Sequence, residues 1–265
     1  MSARAAVAPD VPAAFVDLAR RLTEVSRPIL KRYYRKSLDI IDKADESPVT
    51  KADRECEAAL REQINAAFPD HGIIGEEFGA ERADAEHVWV LDPLDGTRSF
   101  ITGRPLFGTL IALTRGGKPI LGVIDMPILS DLFLGVAGQP STLNGEVIKS
   151  RPCAQLSDAY FSTISPVWFQ GAHLAPYERL RDGAKSTTFG GDCYQYGMVA
   201  AGFIDLVVER GLGIYDFAAL VPVIEGAGGH ITDWRGHALT LQSKGDVIAA
   251  GDRRILDQAV ATLAA

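Results

Sequence analysis

The segment HVWVLDPLDGTRSF, residues 87–100, joins an apolar run to two aspartates that flank a proline. We expect the apolar run to form a buried strand, because a short apolar run bounded by turn residues is typical of one. Pro93 disfavours helical backbone at Asp92, and Gly96 permits a sharp turn directly after Asp95. The two carboxylates are therefore predicted to converge at one end of the strand.

Two carboxylates placed this close together need a compensating positive charge or a proton. At about 4 Å they repel each other by roughly 4 kcal/mol at an effective dielectric constant near 20. Oxygen ligands suit Mg²⁺, so a hard divalent cation is the natural partner. The alternative is structural: one aspartate forms an Asx-turn and the other caps a helix that begins in TRSF. This segment alone leaves both interpretations open.

The composition is that of a globular protein and excludes several classes of function. The 265 residues are 47 % hydrophobic and 23 % charged, enough for one large domain or two lobes. The net charge is -7 and the 27 Lys and Arg residues are scattered, which argues against nucleic acid as a partner. The odd number of cysteines, without a C-x-x-C pair, favours a reducing cytoplasm over a disulfide framework. We expect neither a signal peptide nor a membrane span.

Hydrophobic periodicity predicts two helices before residue 70. The first helix should bend at Pro28. Its apolar face consists of Val11, Phe15, Leu18, Leu22, Val25 and Ile29. The second helix should begin in SPVTKAD, residues 47–53, where Thr50 can cap it and Asp53 lies in the first turn. Its inward stripe consists of Cys56, Leu60, Ile64 and Phe68.

The remainder of the chain alternates between strand and helix patterns. Before residue 150 the predicted strands lie in GIIGEEFG, in VWVLD and on both sides of the Gly-Gly turn in GTLIALTRGGKPILGVIDMP. After residue 150 the short apolar runs AYFSTI, DLVVE and DVIAAG alternate with the helical stretches CYQYGMVAAG, FAALVPVIEGAG and RILDQAVATLA. This pattern predicts an α/β (α+β) chain, with one domain over 1–265 made of an N-terminal lobe, 1–150, and a C-terminal lobe, 151–265.

Five motifs, in the same order, resemble those of the inositol monophosphatase superfamily of metal-dependent phosphatases. They are SPVTKAD (47–53), IIGEEFG (73–79), WVLDPLDGT (89–97), GGDCYQYGMVAAGFIDLVVE (190–209) and IYDFAALVPVIEGAGG (214–229). The resemblance covers essentially the full length and implies a layered α/β/α/β/α sandwich with the metals between the lobes. It also implies a homodimer that hydrolyses a small-molecule phosphate ester with two or three Mg²⁺ ions per site.

The resemblance further implies roles for individual residues. The Mg²⁺ ligands would be the side chains of Glu76, Asp92, Asp95 and Asp216 and the carbonyl of Leu94, with Asp53 as a ligand of an additional ion, partly through water. The implied catalytic residues are Asp53, Glu76 and Thr97, of which Asp53 and Thr97 would orient the attacking water. Gly96 and Thr97 resemble the phosphate-binding turn of the family, where backbone N–H groups at a helix start face the anion.

Each of these acids also has a structural alternative. Asp216 is suited to cap the helix FAALVPVIEGAG, and Asp53 to be a first-turn acid that the helix dipole favours. Glu76 and Glu77 are suited to be solvated loop acids. The residue types alone leave these alternatives open, whereas the order of the motifs favours the metal site.

The substrate is predicted from the residues that follow the paired aspartates. Inositol-specific members of the family read DGTTNF, whereas this chain reads DGTRSF and is similar to the branch that hydrolyses L-histidinol phosphate. The family places the alcohol near the GGD turn, Gly191 and Asp192 here, and near the acid that precedes RGLGIYD, Glu209. Two carboxylates suit a cationic alcohol, because charge-assisted hydrogen bonds are about twice as strong as neutral ones. The structural alternative for Asp192 is to cap the helix CYQYGMVAAG, a role that is compatible with substrate binding.

Other functions remain as alternatives. The nearest is an inositol-1-monophosphatase or a broad-specificity sugar or nucleotide phosphatase. A different class is a non-catalytic metal-binding regulatory protein, which the loss of a ligand acid would favour. Every ligand acid that the resemblance implies is present in this chain.

Overall fold

The first half of the chain forms two long helices and a large sheet. The computed structural model describes residues 10–36, 40–42 and 48–264, with the backbone alone at 40–42 and 48–50. The two helices are α1 (Ala13–Tyr33) and α2 (Lys51–Ala67), and the antiparallel pair β1 (Ile40–Asp42) and β2 (Pro48–Thr50) lies between them. The predicted capping by the Thr50 side chain lies outside the described residues.

The large sheet has eight strands, and β5 lies in its interior. The strands are β3 (Gly72–Gly75), β4 (Gly79–Glu81), β5 (His87–Asp95), β6 (Gly108–Arg115), β7 (Lys118–Met126), β8 (Asp131–Val136), β9 (Thr142–Leu143) and β10 (Glu146–Val147). Their order across the sheet is β10-β9-β8-β7-β6-β5-β3-β4. The short helix α3 (Thr97–Ile101) follows β5 directly.

The second half of the chain forms a five-stranded sheet and five helices. The strands are β11 (Tyr160–Thr163), β12 (Ser186–Phe189), β13 (Leu206–Glu209), β14 (His230–Asp233) and β15 (Val247–Ala250), in the order β12-β11-β13-β15-β14. The helices are α4 (Leu174–Gly183), α5 (Asp192–Ala200), α6 (Ile214–Phe217), α7 (Leu220–Gly226) and α8 (Arg253–Ala264). Three 3₁₀ turns lie at Leu156–Asp158, Pro166–Trp168 and Gly171–His173.

The helices and sheets alternate in five layers. Trp89 and Leu91 of β5 pack with α1 and α2 on one face of the large sheet, whereas Val90 points to the opposite face, towards α5, α6 and α7. Those three helices also pack on Val207 and Ala249 of the small sheet, whose outer face α4 and α8 cover. This arrangement confirms the predicted α/β/α/β/α sandwich. It also explains the continuous apolar run of β5, because both faces of that strand are buried.

Most of the predicted helices agree with the structure, with one clear error. The α1 helix buries Phe15, Leu18 and Leu22 and continues through Pro28. FAALVPVIEGAG, predicted as one helix, is divided, because α6 ends at Phe217 and α7 begins at Leu220. The reason is Pro222, which has no N–H to donate to the carbonyl of the residue four positions earlier and would clash with that carbonyl in a continuous helix.

Several smaller expectations can also be compared with the structure. Strand β8 was not predicted, since Pro127 and Asp131 interrupt the apolar pattern there. All three cysteines are buried and free. No described helix is long and apolar enough to cross a membrane. The strands of the large sheet end at Val147 and those of the small sheet begin at Tyr160; the division into lobes at residue 150 stays a prediction.

Candidate metal centre

A cleft of about 960 Å³ lies where the two halves of the chain meet. Residues of both halves line it, and many of them are acidic. From the first half they include Glu76, Asp95, Gly96, Thr97 and Arg98, and from the second half Trp168, Asp192, Glu209, Arg210, Asp216 and Lys244. The cleft therefore collects acids that are more than a hundred residues apart in the sequence.

The end of β5 has the geometry that its sequence predicts. The strand stays extended through Pro93, and its pairing with β6 is irregular between Asp92 and Asp95, as expected where a proline cannot donate to the ladder. Gly96 then turns the chain with a positive φ of 84°. The side chain of Asp92 is 1 % exposed, and its Oδ1 accepts the N–H of Leu94 at 3.0 Å. The Asx-turn of the structural alternative is thus present, and both carboxylates still lie at the strand end.

Two groups of acids could each hold a metal ion. Within each group, one carboxylate oxygen of every member lies within 4.8 Å of the others. The first group consists of Asp92, Asp95 and Asp216, and the second of Asp53, Glu76 and Glu77. The structure therefore brings together Asp53, Glu76, Asp92, Asp95 and Asp216 as two groups, and it adds Glu77, which the motif comparison left outside the ligand set.

The electrostatics of these acids fit a divalent cation. Burial raises the pKa of Asp92 well above its usual range, and the negative charge of Glu76 raises it further. Burial also raises the pKa of Asp216 to about 6. Carboxylates with raised pKa values and clustered oxygen atoms are a donor set that suits a hard cation such as Mg²⁺ or Ca²⁺. Their mutual repulsion would fall when such a cation binds.

Asp95 caps a helix that the sequence did not associate with it. Its Oδ2 accepts the N–H of Cys193, at the start of α5, at 2.5 Å. The structural alternative for Asp192, capping of α5, is therefore wrong, because Asp192 accepts the hydroxyl of Ser99 at 2.6 Å instead. Asp192 is the first residue of α5 and has a positive φ of 45°.

The turn at Gly96 packs tightly against Asp192. A Cβ atom on Gly96 would lie 2.8 Å from Asp192 Oδ2 and 3.0 Å from the carbonyl oxygen of Leu106, so the position accepts only glycine. The carbonyl of Leu94 accepts the hydroxyl of Thr97 at 3.2 Å. Gly191, which precedes α5, also has a positive φ, of 113°. The turn, Asp192 and Asp95 therefore lie next to one another in the lining of the cleft.

Glu209 ends β13 and lines the same cleft. Its side chain is 1 % exposed, and its Oε1 accepts the N–H of Ile164 and the Nε2–H of Gln195, the latter at 3.1 Å. Burial raises the pKa of Glu209 to about 7, and these hydrogen bonds limit the rise. Burial likewise raises the pKa of Asp192, and the hydrogen bond from Ser99 opposes this rise. Both acids line the cleft, and Asp192 is near enough to raise the pKa of Glu209.

Glu57 supports the site and was missed by the sequence analysis. Its buried carboxylate accepts the N–H of Glu77 at 2.7 Å and of Phe78 at 3.2 Å, which fixes the turn that follows β3. A Cβ atom on Gly75 would lie 2.0 Å from Glu57 Oε1, so glycine makes room for this contact. In the sequence, Glu57 and Arg61 form an i,i+4 pair, and such a pair is usually on a helix surface.

Comparison with known proteins agrees with this geometry. A profile of the inositol monophosphatase family matches residues 13–265. The chain is 48 % identical over 258 residues to the chloroplastic bifunctional phosphatase IMPL2 of Arabidopsis thaliana, covering 94 % of this chain and 75 % of that protein. It is 36 % identical to a histidinol-phosphatase of Chlorobaculum parvum, covering 88 % of this chain and 91 % of that protein. A solved structure of an inositol monophosphatase from Zymomonas mobilis has a TM-score of 0.90 and 45 % identity, covering 97 % of this chain and 100 % of that one.

Proposed function

Since the chain belongs to the inositol monophosphatase family, we propose that it is a Mg²⁺-dependent phosphatase that hydrolyses L-histidinol phosphate to L-histidinol and phosphate. The observation that carries this proposal is the presence of Asp192 and Glu209 in a cleft that is also lined by acids of both groups that could hold a metal ion. A phosphate ester bound beside those groups would present its alcohol to these two acids. An alcohol with an ammonium group and an imidazole suits two acids better than a neutral polyol does.

The metal ligands in this proposal are those that the motifs indicate. Glu76, Asp92, Asp95, Asp216 and the Leu94 carbonyl would hold two Mg²⁺ ions, and Asp53 would take part in binding a third. When bound, Mg²⁺ activates water and neutralises the charge that develops on the phosphoryl group and the leaving alkoxide. Two observations support the binding of Mg²⁺ by these residues: the two clusters of carboxylate oxygens and the raised pKa values of the buried aspartates.

The other residues of the site bind and orient the reactants. Gly96 and Thr97, at the start of α3, would donate backbone N–H groups to the phosphate. Thr97, Asp53 and Glu76 would accept or donate hydrogen bonds that hold the attacking water in line with the leaving alcohol. This reaction needs no nucleophilic side chain, because phosphate monoester hydrolysis depends chiefly on positioning and on charge neutralisation.

The alcohol subsite consists of Asp192, Glu209 and the Gly191 backbone. The hydroxyl of Ser99 fixes one oxygen of Asp192, and the N–H of Ile164 with the amide of Gln195 fixes one oxygen of Glu209. Fixed carboxylates are prepared to accept a cationic donor with little loss of side-chain entropy. The similarity to a histidinol-phosphatase supports this proposal. The similarity to an inositol monophosphatase makes inositol 1-phosphate the second candidate. We also propose the homodimer as the working unit, which light scattering on the purified protein would test.

The experiment compares kcat/KM for L-histidinol phosphate and inositol 1-phosphate in wild type, Asp192→Asn and Glu209→Gln. A hydrogen bond to a charged group is worth about 1.5 to 3 kcal/mol. We therefore expect Asp192→Asn and Glu209→Gln each to lower kcat/KM for L-histidinol phosphate about ten- to two-hundredfold. In both variants, kcat/KM for inositol 1-phosphate should fall by a smaller factor. Asp182→Asn, an exposed acid of α4, is the matched control and should change neither value. Equal losses on both substrates, or a wild type that prefers inositol 1-phosphate, would contradict the histidinol assignment.

A further inference from the structure

Trp168 lines the cleft and has no role in the chemistry proposed above. Among the described residues that line the cleft it is the sole aromatic one. It ends the 3₁₀ turn Pro166–Trp168, and 42 % of its surface is exposed, whereas its neighbour Phe169 is 1 % exposed and stacks on Tyr177. The turn is thus anchored in the core by Phe169 and presents Trp168 to the cleft.

The position of the ring relative to the phosphate turn is set by Arg98. The guanidinium carbon of Arg98 lies 5.2 Å from the centre of the Trp168 ring. Arg98 directly follows Thr97 in α3, so this contact connects the indole to the proposed phosphate turn, and both line the same cleft. The ring keeps a large exposed surface beside Arg98. Trp168, Asp192 and Glu209 line the same cleft as this turn, so the alcohol of an ester bound at the turn would enter a space that the indole and both acids border.

Trp168, Asp192 and Glu209 together have the chemistry of a site for a flat cation. The face of an indole ring is negative and attracts cations, and it also stacks on planar unsaturated rings. Asp192 and Glu209, which line the same cleft, supply negative charge and hydrogen-bond acceptors. A neutral polyol gains little from an indole face, because its ring is neither planar nor charged. The combination of an exposed indole and two carboxylates is therefore selective for an aromatic, cationic alcohol.

We propose that Trp168 is a specificity-determining residue whose indole ring stacks against the imidazole ring of the substrate alcohol, while Asp192 and Glu209 face its ammonium group. This inference rests on the proposed function and names the residue that would recognise the aromatic part of the substrate. The alternative role for the same ring is to hold Arg98 and thereby the phosphate turn. The two roles differ in which substrates they affect.

The experiment uses Trp168→Leu, which keeps an apolar side chain without an aromatic face, and Trp168→Phe, which keeps the aromatic face. The control is Val167→Ala, in the same turn and 59 % exposed. The substrates are L-histidinol phosphate, 2-aminoethyl phosphate, which has the ammonium group without the ring, and inositol 1-phosphate. We expect Trp168→Leu to raise KM for L-histidinol phosphate about five- to thirtyfold with little change in kcat. For the two substrates without an aromatic ring, Trp168→Leu should change KM less than about twofold. For L-histidinol phosphate, the KM of Trp168→Phe should stay close to the wild-type value, and the KM of Val167→Ala should equal it.

Two results would overturn the inference. Equal losses on all three substrates would mean that Trp168 acts through Arg98 on the phosphate turn, and an unchanged KM for L-histidinol phosphate would mean that the ring does not contact the substrate. The inhibition constant of L-histidinol, measured with whichever ester the protein hydrolyses, separates this inference from the proposed function. If L-histidinol phosphate is a poor substrate but Trp168→Leu still weakens inhibition by L-histidinol, the proposed function fails and the stacking role stands.

Discussion

Asp95, in the first half of the chain, contacts residues of the second half in two ways. Its Oδ2 accepts the N–H of Cys193 at the start of α5, while its carboxylate also lies in one group with Asp92 and Asp216. Burial raises the pKa of Asp95 well above its usual range, and the charges of Asp192 and Asp216 raise it further, whereas the Cys193 N–H opposes the rise. The same residue therefore stabilises the contact between the halves and belongs to a group of acids that could hold a metal ion.

We predict that Asp95→Asn folds but loses most of its activity. Asparagine keeps an oxygen that can accept the Cys193 N–H, but it removes the charge that the proposed Mg²⁺ site needs. Thr97→Ala should retain more activity than Asp95→Asn, since the orientation of water by one group contributes a factor of about 10² to 10⁴ to the rate. Phosphate release at saturating Mg²⁺ and the melting temperature of each variant measure both effects. Wild-type turnover by Asp95→Asn would show that the proposed ligand set is wrong.

At the scale of elements, α7 lies directly on the backbone of the large sheet. A Cβ atom on Gly122 of β7 would lie 2.0 Å from the carbonyl oxygen of Ala219, and one on Gly135 of β8 would lie 2.3 Å from the backbone of Pro222. Neither neighbour is a side chain that could rotate away. The two glycines thus allow the helix layer between the sheets to approach the strands, which in turn positions α6 and Asp216 at the cleft.

We predict that Gly122→Ala lowers the free energy of unfolding by about 3 kcal/mol, because overpacking against backbone can be relieved only by moving the helix. Gly116→Ala is the control in the turn between β6 and β7, where a Cβ meets nothing within 4 Å but φ is positive, at 55°. That change should cost about 1 kcal/mol from the left-handed backbone alone. Urea denaturation measures the free energy of unfolding of both variants. Equal losses of this free energy in Gly122→Ala and Gly116→Ala would contradict the close approach of α7 to the sheet.

Local sequence predicted the elements well and the contacts between them poorly. The buried strand β5, the turn at Gly96 and the Gly-Gly turn between β6 and β7 follow from residue types within a few positions. The break between α6 and α7 could have been predicted from Pro222. The capping of α5 by Asp95 and the support of the Glu77 turn by Glu57 could not, since each joins residues that are distant in the sequence. Only the packed fold brings such partners together.

At the scale of the whole molecule, the cleft concentrates negative charge that the metal-free protein must tolerate. Burial raises the pKa of Asp216 from 3.8 to about 6, so between these values the folded protein retains a proton that the unfolded chain has released. The free energy of unfolding contributed by this group therefore falls as the pH rises through that window. Metal binding should remove the penalty, because the cation replaces the proton.

We predict that, in EDTA, the melting temperature of wild type relative to Asp216→Asn falls as the pH rises from about 4 to 6. The difference between the two proteins removes the contributions of titrating groups that do not interact with Asp216, such as His71, whose pKa burial lowers. A melting-temperature series at fixed ionic strength measures this trend. A difference that rises with pH would contradict the direction of the Asp216 pKa shift.

We also predict that Mg²⁺ stabilises the folded protein above pH 7. A ligand that binds only the folded state adds about 2.7 kcal/mol at a concentration one hundred times its Kd. The melting temperature should therefore rise across a Mg²⁺ titration in wild type and much less in Asp95→Asn. Identical titration curves for the two proteins would place Mg²⁺ binding elsewhere.

The rate of phosphate release from L-histidinol phosphate, measured against the concentration of free Mg²⁺, tests the central claim most directly. The acids of the cleft are proposed to act through Mg²⁺, so a protein freed of metal by EDTA should release no phosphate above background. Added Mg²⁺ should restore the full rate. Full turnover in excess EDTA would contradict metal-dependent hydrolysis, and no turnover at any Mg²⁺ concentration with any phosphate ester would favour the non-catalytic metal-binding protein instead.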